Sequence, residues 1–177
     1  MDTVISDQEL HDAARALLAL YVEKKLTLAT AESCTGGLLA ATLTEIPGSS
    51  AVVERGFVTY TNEAKQQMLG VPAETLQRYG AVSRQSAEAM ARGALAHAPV
   101  NVAVSITGIA GPGGATAEKP VGLVHFAAVS RGGGLTTYEG RYGGIGRSEV
   151  RRRSVLQAIA MLQEIAQDEP TASPAAE

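Results

Sequence analysis

The sequence predicts a single-domain three-layer α/β/α sandwich built on a mixed sheet. Three observations carry that expectation. Helical and strand-length apolar segments alternate through the first 60 residues. Three short helical segments then follow one another without a strand. Two strands joined by the turn "RGGG" come late, and a long helical segment follows them. Early alternation calls for parallel strands covered on both faces by helices, and the late hairpin adds antiparallel strands to the same sheet. A chain of 177 residues, 45% hydrophobic and 19% charged, has enough apolar surface for one substantial core.

Each element has its own signal. Residues 7–24 place Leu10, Ala14, Leu17, Leu18 and Tyr21 at helical spacing, with Ser6 or Asp7 as N-cap. "LTLATA", 26–31, reads as a short strand. "TGGLLAATLTEI" reads as a helix that begins near Thr35 or Gly36 and is stopped by Pro47-Gly48. Residues 52–60, "VVERGFVTY", are β-rich, with a bulge expected at Gly56. Helices are expected over 62–69, 73–79 and 83–97, punctuated by Gly70, Gly80 and Pro99. "VNVAVSI", 100–106, is an apolar run of strand length. "VGLVHFAAVS" and "GLTTYEGRY" form the hairpin, and a helix over 147–167 closes the domain. The polar tail 168–177 is expected to be disordered, and no repeat or interdomain linker breaks residues 1–167.

Composition narrows the function. A net charge of −3 argues against a general nucleic-acid binder. Cys34 is the only cysteine, and His11, His97 and His125 lie far apart without ligand spacing, so no metal site is expected. The first twenty residues carry Asp2, Asp7, Glu9, His11, Asp12 and Arg15, which does not fit a signal peptide. No window approaches the roughly 18 apolar residues of a membrane span. The expectation is a cytoplasmic protein with no membrane or nucleic-acid partner.

Three loops have the chemistry of a site. In "AESCTGG" a strand hands over to a helix, placing Ser33, Cys34 and Thr35 near helix N-terminal amides that suit an oxyanion or phosphate. The stretch by itself leaves three readings open: reactive serine, reactive cysteine or plain helix entry. In "YTNEAKQQMLGV", Lys65 falls in the first turns of a helix, the wrong end for the dipole. A surface lysine is one reading; a base is the other, if burial or a nearby cation depresses its pKa from about 10.4. In "SITGIAGPGG", glycine-rich backbone is able to wrap an anion, yet neither a P-loop nor a Rossmann fingerprint is matched. Arg147 and Arg151 share one helical face, where a bound anion would explain two cations near a helix start. His125 reads as a core-edge residue and His97 as a helix C-terminal one. No histidine falls in the three loops, so a serine nucleophile would turn to Lys65 for its base.

The blocks "AESCTGG", "GxVTYTNEAKxxxLGV", "YGAVS", "TGIAGPGG", "KPVG" and "GxRxxVR", in this order, resemble the C-terminal domain family of the competence-damage-inducible protein CinA, whose stand-alone members are nicotinamide-nucleotide amidases. The resemblance runs from about residue 30 to residue 151, and nothing here corresponds to the extra N-terminal domain of longer members. It implies deamidation of nicotinamide mononucleotide to nicotinic acid mononucleotide and ammonia. It also implies Ser33 as nucleophile, Lys65 as base and Tyr60 as assistant. Substrate contacts are expected from Thr35, Gly36, Asn62, Thr107, Gly108, Gly111, Gly113, Arg147 and Arg151. No cofactor is expected, and a homo-oligomer, a dimer, is. The rival expectations are a Cys34 thiol amidase and a non-catalytic nucleotide-binding module.

Overall fold

The structure, a computed structural model, describes residues 4–172. Its elements follow the expected order: α1 (Asp7–Lys24), β1 (Leu28–Glu32), α2 (Leu38–Thr44), β2 (Val53–Val58), α3 (Asn62–Leu69), α4 (Ala73–Tyr79), α5 (Arg84–His97), β3 (Val102–Gly108), β4 (Leu123–Ser130), β5 (Leu135–Arg141) and α6 (Arg147–Asp168), with one 3-10 turn at Ser49–Ala51. Ser6 caps α1 in a reciprocal capping box with Glu9.

The five strands lie in the order β2-β1-β3-β4-β5. β1 pairs parallel with β2 and with β3, and the β3–β4 and β4–β5 pairs are antiparallel. The sheet is therefore mixed, as expected, and the layers are three. Leu28, Val102, Val104, Ile106 and Phe126 join α1, α2 and α6 on one face. Ala31, Ala103 and Ala127 meet Met90, Ala91 and Ala94 of α5 on the other. Alanines at the centre of that second face leave room for α5, and Val129 packs beside them.

Five local expectations shift. β1 and β3 each begin two residues later than expected, at Leu28 and Val102. The irregularity in β2 falls at Glu54, because Leu28 pairs with Val53 and Ala29 with Arg55. Gly56 instead answers to crowding: a Cβ there would stand 2.8 Å from Thr30 Oγ1. The helix after β1 starts at Leu38, not at Thr35 or Gly36, because Gly36 and Gly37 hold φ of +58° and +97°, outside the helical region. Residues expected in the disordered tail are held as far as Ala172, whose amide donates to the Lys24 carbonyl at 3.0 Å. The rest of that tail, 173–177, lies outside the described residues.

Candidate active site

Parallel sheets bind ligands at the carboxyl ends of their strands, where neighbouring connections leave in different directions. Here that place is the end of β1, between β2 and β3. The Ser33 amide donates to the Ile106 carbonyl at 2.9 Å, extending the β1–β3 ladder by one bond. Side chains alternate across the sheet, so Glu32 and Ser33 leave on opposite faces. Glu32 goes to the α2 side, where its carboxylate accepts the Leu39 and Ala40 amides. Ser33 goes to the side of α3, and α3 carries Lys65.

Thr61 caps α3 by accepting the Ala64 amide at 3.1 Å, which fixes the helix start and aims Lys65 inward. Lys65 is 1% exposed and Ser33 8%. Lys65 Nζ stands 2.9 Å from Ser33 Oγ, 2.9 Å from the Thr59 carbonyl oxygen and 3.4 Å from that of Tyr60. Burial holds the Lys65 amine below the ordinary lysine range, and the Cys34 sulfur opposes this weakly. The alternative of a solvated surface lysine is thereby excluded. Cys34 is buried, and burial pushes its thiol up to about 11, away from the thiolate form.

Ser33, Lys65, Cys34, Tyr60, Thr107, Gly108, Gly111, Gly113 and Arg147 share one cavity of about 240 Å³. Arg147 crosses its rim. Nη1 donates to the Gly111 carbonyl at 2.9 Å and Nη2 to the Tyr60 hydroxyl at 2.8 Å. Tyr60, 58% exposed, is thus bound at both ends, its carbonyl facing Lys65 and its hydroxyl accepting from Arg147. The Glu149 carboxylate accepts from the Ile5 amide and Arg153 rather than from Arg147 or Arg151. Wider hollows lie between α1 and α2 and beside the start of α6, but neither is lined by a serine–lysine pair.

Thr35, Gly36, Asn62 and Arg151 are not in the cavity wall. Thr35 is fully buried, and its carbonyl accepts from Arg151 Nη2 at 2.8 Å. Gly36 packs beside the same guanidinium. Asn62 is exposed at the start of α3. The expected use of the helix start as an oxyanion site also fails, because Glu32 already occupies the Leu39 and Ala40 amides. Ala81 and Val82 line the wall without having been expected there, and Ile109, Ala110 and Gly114 join it from the glycine-rich loop already singled out. The "YGAVS" block was the only hint for the first two.

His125 is half-buried, 3.8 Å from Glu139, and His97 bonds the Gly93 carbonyl, so neither reaches the cavity. Among the described residues no group of three or more His, Cys, Asp or Glu side chains is arranged to hold a metal ion. No helix among them is long and apolar enough to cross a membrane.

Comparison with known proteins identifies the family. A family model described as the CinA C-terminal domain matches residues 10–166. Nicotinamide-nucleotide amidohydrolase PncC of Escherichia coli K12 is 49% identical over 159 residues, which is 89% of this chain and 95% of that protein. A putative competence-damage inducible protein of Symbiobacterium thermophilum is 49% identical over 166 residues, but this chain spans only 38% of its length. Other long relatives of that kind are likewise spanned over about a third of their length. The crystal structure of competence/damage inducible protein CihA from Agrobacterium tumefaciens superposes with a TM-score of 0.88 at 55% identity, over 93% of this chain and 99% of that one. The competence-damaged (CinA) superfamily protein from Klebsiella pneumoniae 700603 gives 0.86 at 36% identity, over 90% and 99%. With a family model matched over almost its whole length and a relative of similar size at 49% identity, this chain belongs to the CinA C-terminal domain family.

Proposed function

We propose that this chain is a nicotinamide-nucleotide amidase that hydrolyses the carboxamide of nicotinamide mononucleotide through an acyl-enzyme on Ser33. The observation that carries this reading is the buried contact between Lys65 Nζ and Ser33 Oγ at 2.9 Å. A neutral amine has two N–H groups and one lone pair. The Thr59 and Tyr60 carbonyls are placed to take both N–H groups, and the lone pair is then left for the Ser33 hydroxyl proton. Support for the substrate comes from the similarity to PncC, over nearly the whole length of both chains.

Lys65 takes the proton as Ser33 Oγ bonds to the carboxamide carbon, giving a tetrahedral oxyanion. Cys34 follows the nucleophile and lines the cavity, and its amide is the oxyanion donor in this reading. The C–N bond breaks as Lys65 returns its proton to nitrogen, which leaves as ammonia. Water then attacks the ester, Lys65 accepts its proton, and that proton passes to Ser33 as nicotinic acid mononucleotide departs. Tyr60 assists by holding Lys65 through its carbonyl and Arg147 through its hydroxyl.

A volume of about 240 Å³ is small beside ligand sites of roughly 300–1,000 Å³. It suits the carboxamide-bearing ring, with the rest of the nucleotide across the mouth and its phosphate near Arg147. The direct test is ammonia release from nicotinamide mononucleotide, wild type beside Ser33→Ala. Release by the wild type and none by a folded Ser33→Ala is expected; equal release by both rejects the reading.

A further inference from the structure

Two charged side chains beside the nucleophile have no part in the reaction just described. Glu32 immediately precedes Ser33, is 1% exposed, and does not line the cavity. Both of its oxygens are engaged, one by the Leu39 amide at 2.9 Å and the other by the Ala40 amide at 3.1 Å. These amides belong to the first turn of α2, whose N-cap Gly37 has no side chain to serve them. Glu32 therefore ties the end of β1 to the start of α2, closing the intervening turn from below.

Arg151 of α6 holds the same turn at a second point, through the Thr35 carbonyl at 2.8 Å. Within residues 33–37 the chain makes few bonds of its own: the Gly36 amide donates to the Ser33 carbonyl at 3.0 Å, and the Leu38 amide to that of Thr35 at 3.0 Å. Two successive glycines at positive φ give such a turn many alternative conformations. Yet catalysis needs Ser33 Oγ to remain at one place against Lys65, and a displacement of about 1 Å costs on the order of 10²-fold in rate.

We infer that Glu32 and Arg151 are positioning residues that clamp the turn at residues 33–37 and so set Ser33 Oγ against Lys65 Nζ. The inference rests on the reading of Ser33 as nucleophile. Neither residue touches substrate. Arg151, expected from sequence to meet the substrate, instead holds the Thr35 carbonyl, two residues after the nucleophile.

The test is labelling of Ser33 by a fluorophosphonate probe, followed by mass spectrometry, together with steady-state ammonia release. The rate constant of labelling is read from the time course, so it does not depend on how many molecules are folded. Glu32→Gln keeps shape and one acceptor but turns an NH2 group toward a backbone N–H. It is expected to lower the labelling rate constant and kcat by about 10–100-fold, with KM within about threefold of wild type. Arg151→Ala is expected to act in the same direction, and Arg151→Lys to recover most of the loss by restoring one donor to Thr35. If Glu32→Gln fails to fold, the Arg151 pair decides. Wild-type rate constants in Glu32→Gln or Arg151→Ala, with Ser33→Ala silent, overturn the clamp alone. Labelling and turnover that persist in Ser33→Ala overturn the nucleophile, and the clamp falls with it.

Discussion

Lys65 and Ser33 are 32 positions apart in the chain and meet at 2.9 Å in a buried site. A buried amine without a fixed counter-charge is costly to keep protonated, and this one has two carbonyls and a hydroxyl as its neighbours. Lys65→Ala is expected to lower kcat for ammonia release by about 10²–10⁴-fold, the range of a lost general base. Lys65→Arg should fare no better, since a guanidinium stays protonated. Steady-state kinetics on nicotinamide mononucleotide checks both, and normal turnover in either removes Lys65 as the base.

The same burial sets a pH dependence. The Lys65 amine titrates below the ordinary lysine value because it is desolvated. Activity should rise with pH through that lowered value, as the amine becomes neutral, and level off before the ordinary lysine value of about 10.4. The stability linkage has a definite sign. Between the folded and unfolded pKa values the unfolded chain holds the extra proton, so stability rises with pH there. Below the folded value the cost of the buried charge is fully present. A kcat/KM profile that keeps climbing beyond about pH 10.4 contradicts a depressed base.

Cys34 adjoins the nucleophile but is buried, with its thiol pushed up to about 11. Cys34→Ser is expected to keep ammonia release within about threefold, since no step uses the sulfur, and to cost about 1 kcal/mol of stability. Native protein should alkylate slowly with iodoacetamide and rapidly after unfolding. Loss of turnover in a folded Cys34→Ser protein would revive the thiol mechanism.

Packing reaches the base through a glycine. A Cβ on Gly93 of α5 would stand 2.0 Å from the carbonyl oxygen of Leu69, the last residue of α3. Gly93→Ala must push α3 away from α5, and overpacking of this kind costs roughly 1–3 kcal/mol. Because α3 carries Lys65, the variant should lose turnover as well as stability. Urea unfolding and kinetics in parallel check this, and unchanged values for both would show that the helices separate freely.

Arg147 is the cation at the rim of the cavity, bonded to Gly111 and Tyr60. If it meets the phosphate, Arg147→Ala should raise KM for nicotinamide mononucleotide by about 10–100-fold, in line with about 1.5–3 kcal/mol for a hydrogen bond to a charged group. Turnover of the riboside, which lacks the phosphate, should change little. Equal losses on both substrates would remove Arg147 as the phosphate contact.

The contrast between Arg147 and Arg151 shows where sequence reading stops. The two arginines are four apart on one helix, and spacing gave both the same anion-binding role. The fold sends Arg147 to the cavity rim and Arg151 to the Thr35 carbonyl. Glu32 was passed over for a related reason. Its partners are amides, and the sequence does not show which backbone groups a turn leaves unpaired. The helix start was misplaced because Gly36 and Gly37 read equally well as helix entry and as left-handed turn.

The sequence by itself determined the element order, the three-layer class and the loops that meet at the sheet's carboxyl edge. Those depend on apolar periodicity and on Gly and Pro punctuation, which are local. It also offered Ser33 and Lys65 as candidates, through the absence of a histidine in any of the loops and a lysine at the unfavourable end of a helix, and the family resemblance implied their roles. Only the tertiary structure decided that Lys65 is buried against Ser33, that Cys34 is buried beside it, and that Glu32 and Arg151 bond the backbone of residues 35–40. Burial and side-chain direction are products of α3, α5 and α6 packing on the sheet. A lysine's desolvation, and with it its fitness as a base, exists only once those helices are in place.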